Sequence, residues 1–325
     1  MSGDLGAEVV VRACHAALNE NPGIELLVVG DESELRSHVT KIAGDDPRLQ
    51  IVHASEVVEM SDSPIDAMRK KKDSSMRVAI NLVKEGRAQA CVSAGNTGAL
   101  MATAKFVLKM LPGIDRPAII TELPAKGGTL HMLDLGANTL CTADHLFQFA
   151  VMGSIVTEDI TGIHNPRVAL LNIGAEDTKG NDTVKDAAAM LKASTMNYVG
   201  FIEGSELFTG KADVVVTDGF TGNVALKTME GTVGLAKHYL KRAFTRDLFA
   251  KFQALLARPV LKSLRKRMDP RRYNGATLVG LNGIVVKSHG SADAYAFMHA
   301  IETAVVEVEK QVPQQIGNLL QKEAA

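Results

Sequence analysis

The clearest indication of the fold is the stretch Gln89-Ala90-Cys91-Val92-Ser93-Ala94-Gly95-Asn96-Thr97-Gly98. A short apolar run over 89–92 leads into a glycine-rich turn, and a helical pattern then continues over 98–110. This order of strand, turn and helix is typical of a βα unit. Glycine lets the backbone approach an anion, and the helix N-terminus offers N–H groups and a positive dipole end. The stretch therefore predicts an anion-binding turn, although Ser, Asn and Thr at these positions also suit an ordinary turn with a helix cap.

Three more glycine-rich loops follow short apolar runs, at 135–138, 172–181 and 218–223. In an open α/β sheet, the loops at the carboxyl ends of parallel strands meet in one crevice, where ligands bind. We therefore expect the four loops to converge on one anionic ligand that is held largely by backbone groups.

Strand-like and helical patterns alternate through most of the chain. The predicted strands cover 25–29, 49–53, 89–92, 118–121, 129–133, 168–171, 198–202, 212–217 and 284–288, and the predicted helices include 76–84, 98–110, 145–156, 182–193 and 223–240. Several of the strands are almost continuously apolar, as parallel strands covered on both faces are. The alternation predicts an α/β fold with a doubly wound, mostly parallel sheet sandwiched by helices. We find no repeat or linker, so we expect a single domain over 1–325.

The composition indicates the environment of the protein. The 325 residues carry a net charge of −1, which gives no overall bias toward nucleic acid, so no nucleic-acid partner is expected. Three isolated cysteines indicate a reducing compartment. The first residues lack the basic and apolar regions of a signal peptide, and no apolar run is long enough to span a membrane. A soluble cytoplasmic protein is expected.

One basic segment, 237–272, interrupts the α/β alternation. It contains 12 Lys or Arg and two Asp, so its net charge is 12 − 2 = +10. Apolar residues that include Phe249, Phe252 and Leu256 follow helical spacing, and Pro259 then separates two helices. Three interpretations remain open: helices buried between two subunits, an amphipathic surface on an anionic membrane, or a docking site for an acidic protein. Besides the three apolar residues, the candidates for partner or membrane contact are Arg265, Lys266 and Arg267, together with Arg69, Lys70, Lys71 and Lys72 ahead of the helix at 76–84.

Polar residues in and beside the loops are the candidates for chemistry. The catalytic candidates are Asn96, Lys179, Asp218, Asn223 and His289. The candidates for binding the anionic substrate are Ser93, Gly95, Thr97, Gly98, Gly136, Asn138, Gly174, Gly219, Thr221 and Gly222. Helix capping by Asp218 or Asn223, a solvated Lys179 and a structural His289 are the alternatives. The histidines form no metal-binding motif, and the chain has neither a Walker A loop nor a G-x-G-x-x-G fingerprint, so we expect no metal and no cofactor.

These motifs together resemble the phosphate acyltransferase PlsX family of bacterial phospholipid synthesis. The resemblance covers nearly the whole chain, in order, through Lys71-Lys72-Asp73-Ser74-Ser75-Met76, the Ser93–Gly98 turn, Gly113-Ile114-Asp115-Arg116-Pro117, Leu133-Asp134-Leu135-Gly136-Ala137-Asn138, Asn165-Pro166-Arg167, Asp218-Gly219-Phe220-Thr221-Gly222-Asn223 and Lys287-Ser288-His289-Gly290. The first loop is also similar to that of phosphotransacetylases. The resemblance implies a fold like that of phosphotransacetylase and isocitrate dehydrogenase.

The resemblance further implies reversible transfer of a long-chain fatty acyl group from acyl carrier protein to inorganic phosphate, which gives acyl phosphate. It also implies a homodimer, loose association with the membrane and association with a membrane glycerol-3-phosphate acyltransferase. Since phosphate is itself a nucleophile and a thiolate is a good leaving group, the site has to orient phosphate and stabilise the oxyanion. A phosphotransacylase that uses short acyl-coenzyme A, and a membrane-bound scaffold without turnover, are the alternatives.

The chain departs from the family pattern at two places. The family usually opens with a strand that runs into Asp-x-Met-Gly-Gly-Asp-x-x-Pro, whereas this chain begins Met1-Ser2-Gly3-Asp4. We therefore expect either an upstream start site or a sheet that lacks this strand. Thr139 also stands where the family commonly has Asp, so no required carboxylate is expected there.

Overall fold

The computed structural model describes residues 3–44, 46–267 and 269–323, of which 265–267 and 321–323 are described by their backbone alone. The helices are α1 Gly6–Glu20, α2 Glu32–Ile42, α3 Pro64–Lys70, α4 Ser75–Lys84, α5 Thr97–Leu108, α6 Ala143–Thr161, α7 Asp182–Ala193, α8 Gly219–Thr245, α9 Leu248–Leu256, α10 Arg258–Arg267, α11 Ala294–Glu309 and α12 Val312–Glu323. The strands are β1 Leu26–Gly30, β2 Leu49–His53, β3 Ala90–Ser93, β4 Ala118–Ala125, β5 Gly128–Leu133, β6 Val168–Leu171, β7 Tyr198–Ile202, β8 Val214–Val216, β9 Ala276–Val279 and β10 Ile284–Lys287.

Among the described residues, eight strands form the central sheet, in the order β3-β10-β9-β4-β5-β8-β6-β7. Pairing is parallel at both ends of this order, between β3 and β10 and among β5, β8, β6 and β7. It is antiparallel in the middle, where β9 pairs with β10 and β4, and β4 pairs with β5. The predicted α/β class with a mostly parallel sheet is confirmed, while β1 and β2 form a separate two-stranded parallel sheet.

The antiparallel centre corrects the prediction that all four loops meet at one edge. Because the chain direction reverses at β9 and again between β4 and β5, the strands β5 to β8 run opposite to β3 and β10. The turn after β3 and the His289 loop after β10 therefore lie at one edge of the sheet. The loops after β5, β6 and β8 lie at the opposite edge.

Both faces of the sheet are covered by helices. Val215 of β8 packs into a core with α4, α5 and the first turns of α8, whereas Val214 and Val216 point to the other face, into a core with α6, α7 and α12. A third core joins α1 and α11 to the two-stranded sheet. The basic segment 237–272 comprises the end of α8, then α9, α10 and a short 3₁₀ turn. Two helices form around Pro259 as expected, but the break falls at Ala257, and Pro259 is the second residue of α10.

Candidate active site

The carboxylate of Asp134 organises the loop after β5. Its Oδ1 accepts hydrogen bonds from the backbone N–H groups of Ile119 and Ala137, both at 3.0 Å. Its Oδ2 accepts from the backbone N–H of Asn138 at 2.7 Å and from the Asn138 side chain at 2.9 Å. Asp134 is completely buried, which raises the pKa of its carboxyl, and these four hydrogen bonds oppose that rise. No role is predicted for Asp134 from the sequence, because an acid that follows an apolar run carries no sign of its burial.

The loop after β8 packs directly on the loop after β5. The backbone N–H of Gly219 donates to the carbonyl oxygen of Asn138 at 2.7 Å. A Cβ on Gly222 would lie only 2.0 Å from the carbonyl oxygen of Asp134. Gly222 is therefore required for this close approach of two backbones. The Asn138 amide is also occupied, because its Nδ2 donates to the Pro117 carbonyl oxygen at 2.7 Å.

Helix α8 starts at this junction with Asp218 as its N-cap. The two carboxylate oxygens of Asp218 accept from the backbone N–H of Thr221 at 2.8 Å and from its hydroxyl at 2.7 Å. One turn later, Asn223 is exposed and lies against Gly136 of the neighbouring loop. The positive dipole end of a 27-residue helix lies here, so the junction favours an anion.

The loop after β6 adds a cation to the same edge. Strand β6 pairs with β8, so its loop emerges beside the start of α8. Within it, the Asn172 side chain donates to the Lys179 carbonyl oxygen at 3.2 Å, and the Lys179 side chain is exposed. A Cβ on Gly174 would lie 2.8 Å from Cγ of Lys179. Gly174 thus leaves room for the lysine stem.

At the opposite edge, the Asn96 side chain holds the turn after β3. Its Oδ1 caps α5 by accepting from the Ala99 N–H at 3.0 Å. Its Nδ2 donates to the carbonyl oxygens of Met60 and Asp62, both at 3.0 Å. Ser93 Oγ likewise accepts from the Gly95 N–H at 3.2 Å. The amide of Asn96 is occupied on both sides, which favours a structural role in this turn over direct contact with substrate.

Lys287 lies behind this turn. Its ammonium donates to the carbonyl oxygens of Ser288 and Ala94. Burial and the nearby positive charge of Lys227 lower the pKa of Lys287 to about 8, while Asp4 opposes them. Lys227 is eight residues into α8, or about 12 Å along the axis. The first turns of α8 therefore extend from the Asn223 edge toward the edge that carries the turn after β3.

The structure divides the predicted loop residues into two groups. Ser93, Gly95, Asn96, Thr97, Gly98 and His289 lie at one edge of the sheet, and Gly136, Asn138, Gly174, Lys179, Asp218, Gly219, Thr221, Gly222 and Asn223 lie at the other. His289 is exposed, and its Nδ1 lies 2.9 Å from the Ser291 hydroxyl. The second group combines an exposed lysine, an exposed amide and a helix N-terminus, so it is the candidate active site.

The four cations ahead of α4 are only partly free. Lys71 donates to Asp62 at 2.6 Å and to the Val57 carbonyl oxygen at 2.8 Å, and Lys70 pairs with Asp66 at 2.7 Å. Both pairings lower the pKa of the aspartate concerned. Arg69 and Lys72 are exposed. The cationic surface predicted from this run is therefore smaller than the sequence indicates.

The basic segment exposes most of its apolar side chains. Phe249, Phe252 and Leu256 are 68%, 56% and 67% exposed, and Leu248 reaches 84%. Partner or membrane contact was also predicted for Arg265, Lys266 and Arg267, but their side chains lie outside the described part of the structure. No helix among the described residues is long and apolar enough to span a membrane. Within the same residues, His, Cys, Asp and Glu form no group of three that could hold a metal ion.

Comparison with known proteins shows to which family the chain belongs. A family model described as fatty acid synthesis protein matches residues 1–315. A phosphate acyltransferase of Alkalilimnicola ehrlichii is 59% identical over 322 residues, which cover 99% of this chain and 94% of that protein. A phosphate acyltransferase of Methylococcus capsulatus is 56% identical over 320 residues, with coverage of 98% and 94%. The chain belongs to the phosphate acyltransferase PlsX family. It is therefore an acyltransferase enzyme of fatty acid and phospholipid synthesis, as the sequence predicted.

Solved structures agree on the fold. A phosphotransacetylase from Streptococcus pyogenes superposes with a TM-score of 0.63 at 20% identity, covering 93% of this chain and 91% of that one. The EutD phosphotransacetylase from Staphylococcus aureus gives a TM-score of 0.61 at 16% identity, with coverage of 93% and 92%. The predicted likeness to phosphotransacetylases is confirmed at the level of fold. The roles of individual residues stay predictions.

Proposed function

We propose that this acyltransferase moves a long-chain fatty acyl group from acyl carrier protein to inorganic phosphate. A phosphate oxygen attacks the thioester carbonyl carbon, the new C–O bond forms, and the C–S bond breaks. The carrier thiolate leaves with the electron pair and takes a proton from solvent, while acyl phosphate remains. This chemistry needs no covalent enzyme intermediate, so the demand on the protein is orientation and charge stabilisation.

The observation that carries the proposal is the junction at the start of α8. It combines the positive end of a long helix with the exposed Lys179 and Asn223 side chains. Lys179 would bind phosphate or the tetrahedral oxyanion, and the Asn223 amide would donate a second hydrogen bond. The Asp218 carboxylate would repel a phosphate dianion, and both of its oxygens already accept from Thr221. We therefore assign Asp218 to capping α8.

The test is phosphate-dependent conversion of palmitoyl-acyl carrier protein, with acyl phosphate trapped as a hydroxamate and palmitoyl-coenzyme A run in parallel. Lys179→Ala should lose most of the product, because one preorganised charged donor is worth about 10²–10³ in rate. Lys185→Ala, on the adjacent α7, removes the same charge outside the loop and should keep it. Product from the coenzyme A donor alone would replace the carrier protein in the proposal. No product from either donor would favour the scaffold alternative.

The apolar face of α9 supports loose association with an anionic membrane surface. Several apolar side chains of α9 are more than half exposed, and the helix lies within the basic segment of net charge +10. An amphipathic helix with this pattern lies in the headgroup region. Phe249→Ser with Phe252→Ser should abolish co-sedimentation with phosphatidylglycerol vesicles. Retained co-sedimentation would remove α9 from membrane binding, and so from any contact with a membrane glycerol-3-phosphate acyltransferase that depends on it.

A homodimer is the second proposal for this region. Helix α8 is largely exposed beyond its first turns, and Leu235 and Tyr239 are 55% and 59% exposed. A second copy of the chain would cover these side chains. Sedimentation equilibrium should give twice the chain mass, and Leu235→Glu should shift it toward the monomer. A wild-type mass equal to that of one chain would overturn this proposal.

A further inference from the structure

An exposed aromatic ring on α5 is contacted by two cations. Phe106 is 51% exposed. The guanidinium carbon of Arg77, on α4, lies 5.3 Å from the centre of the Phe106 ring, and Nζ of Lys109 lies 4.9 Å from the same centre. The negative face of an aromatic ring attracts cations at this distance. The contacts therefore place two positive charges beside an apolar surface that is open to solvent.

Two more cations continue this surface toward the loop after β5. Lys105, next to Phe106 on the exposed side of α5, donates to the carbonyl oxygen of Asp115 at 3.3 Å. The following residue, Arg116, is exposed and donates to the carbonyl oxygen of Leu140 at 3.3 Å. The Leu140 side chain is itself 81% exposed. The name Phe106 patch is used below for Arg77, Lys105, Phe106, Lys109 and Arg116.

The Phe106 patch ends beside the start of α8. The loop that accepts the hydrogen bond from Arg116 also contains Asn138, whose carbonyl oxygen accepts from the backbone N–H of Gly219 at 2.7 Å. Burial raises the pKa of the Cys141 thiol to about 11, the charge of Asp218 adds to this rise, and the charge of Arg116 opposes it. Arg116 and Asp218 thus lie near the same thiol. A partner on the patch would reach the edge that carries the candidate active site.

The cations of the patch keep their charge unpaired. The hydrogen bonds of Arg77, Lys105 and Arg116 go to neutral amide and carbonyl oxygens, and none of the four cations forms an ion pair within the described residues. The neighbouring carboxylate of Asp115 accepts from Nε2 of Gln148 at 3.0 Å instead. An exposed ring with unpaired cations around it is complementary to a protein surface on which carboxylates surround an apolar contact.

We propose that the Phe106 patch is the docking surface for the acyl carrier protein. The inference rests on the proposed function, in which this acidic protein is the acyl donor. Carboxylates of the carrier would pair with the four cations, while an apolar side chain of the carrier covers Phe106. The basic segment 237–272 carries more charge, but its exposed apolar side chains are assigned above to the membrane and to a second copy of the chain. The patch instead adjoins the loops around the start of α8.

Charge reversal tests the patch in the full chain with the hydroxamate assay. Lys105→Glu combined with Lys109→Glu should raise KM for palmitoyl-acyl carrier protein by about tenfold or more at low salt, because like charges would then face each other. We expect kcat and KM for phosphate to stay unchanged, since both lysines lie outside the loops around the start of α8. Phe106→Ser should raise the same KM without changing the net charge.

A matched control separates docking from net charge. Lys41→Glu combined with Lys126→Glu makes the same charge change at two exposed lysines, on α2 and in the hairpin between β4 and β5, and should leave KM for the carrier protein unchanged. A wild-type KM in the patch variant, or an equal rise in the control, would overturn the docking surface.

Two further outcomes are distinguished by the same assay. If KM for the carrier protein rises only in Lys251→Glu combined with Lys262→Glu, the carrier docks on the basic segment and the patch is refuted. No product from the wild-type enzyme would overturn the proposed function, and this inference with it. Product from the wild type with an unchanged KM in the patch variant would overturn the docking surface alone.

Discussion

Replacing Gly222 by alanine should separate the loops after β5 and β8. The new Cβ would lie 2.0 Å from the Asp134 carbonyl oxygen and 2.9 Å from Cγ2 of Thr217. Real Cβ atoms essentially never approach within 3.0 Å, so a shift of about 1 Å is the minimum that relieves the contact. The obstructing atom is backbone and cannot rotate away. It also belongs to Asp134, whose carboxylate fixes Ala137 and Asn138.

The size of the effect follows from this displacement. Overpacking a close backbone contact lowers the free energy of unfolding by about 1–3 kcal/mol, which leaves an ordinary domain folded. A 1 Å displacement of a positioning group can cost about 10²-fold in rate. The shift acts on the first turn of α8 and hence on Asn223. We therefore expect kcat/KM for acyl transfer to fall by about 10²-fold in a folded protein.

The assay compares Gly222→Ala with Gly231→Ala. A Cβ at Gly231, on the exposed middle of the same helix, would meet nothing within 4 Å. This control should retain activity and gain about 0.5–1 kcal/mol in the free energy of unfolding, because alanine is the better helix former. Denaturant unfolding and the hydroxamate assay give the two quantities. Wild-type kcat/KM in Gly222→Ala would show that the two loops need not touch for catalysis.

Three further predictions concern other parts of the chain. Asn96→Ala should lower the free energy of unfolding by about 1–2 kcal/mol, because α5 loses its helix cap, while kcat is retained. Full stability with a lost kcat would show that Asn96 takes part in the reaction. Burial raises the pKa of Glu307 to about 7 from 4.5, so the folded state binds more protons than the unfolded state between pH 4.5 and 7. The contribution of Glu307 to stability is therefore present below pH 4.5 and is lost as the pH rises through 7. The free energy of unfolding of Glu307→Gln relative to wild type should therefore rise by about 3 kcal/mol over that window, and a flat difference would refute the raised pKa. His131, whose pKa burial lowers to about 4, acts in the opposite direction, so the difference between variant and wild type is the quantity to measure. KM for acyl carrier protein should rise steeply with salt if the +10 segment steers it, and a salt-independent KM would exclude this.

Much of the fold could be predicted because the apolar runs are continuous and bounded by turn residues. Strands Leu49–His53, Val168–Leu171 and Tyr198–Ile202 and helix Asp182–Ala193 were predicted residue for residue. Strand Ala276–Val279 was missed, because four residues between a basic segment and a turn give no clear period. That omission concealed the reversal of chain direction, since β9 joins β10 to β4.

The candidate site was predicted only in part. The residues around Asn223 were selected as candidates because Gly, Asn and Thr after a strand are readily recognised. Their functions were harder to assign, since Gly222 serves a backbone contact and Asn96 a cap, and neither needs a ligand. Asp134 and Lys287 were overlooked although both stand in quoted motifs. Their importance lies in burial, which a sequence shows only once the neighbouring strands are known.

The antiparallel centre of the sheet explains the division of the loops. Parallel strands are covered on both faces and are apolar throughout, as Val214–Val216 is. Strands β4, β5 and β9 instead place Glu122, His131 and Thr277 on one face, beneath the gap between α6 and α11. A polar residue inside an otherwise apolar strand therefore marks where the direction of this sheet reverses. Since β4, β5 and β9 also join its two parallel ends, they connect the Asn96 edge to the Asn223 edge.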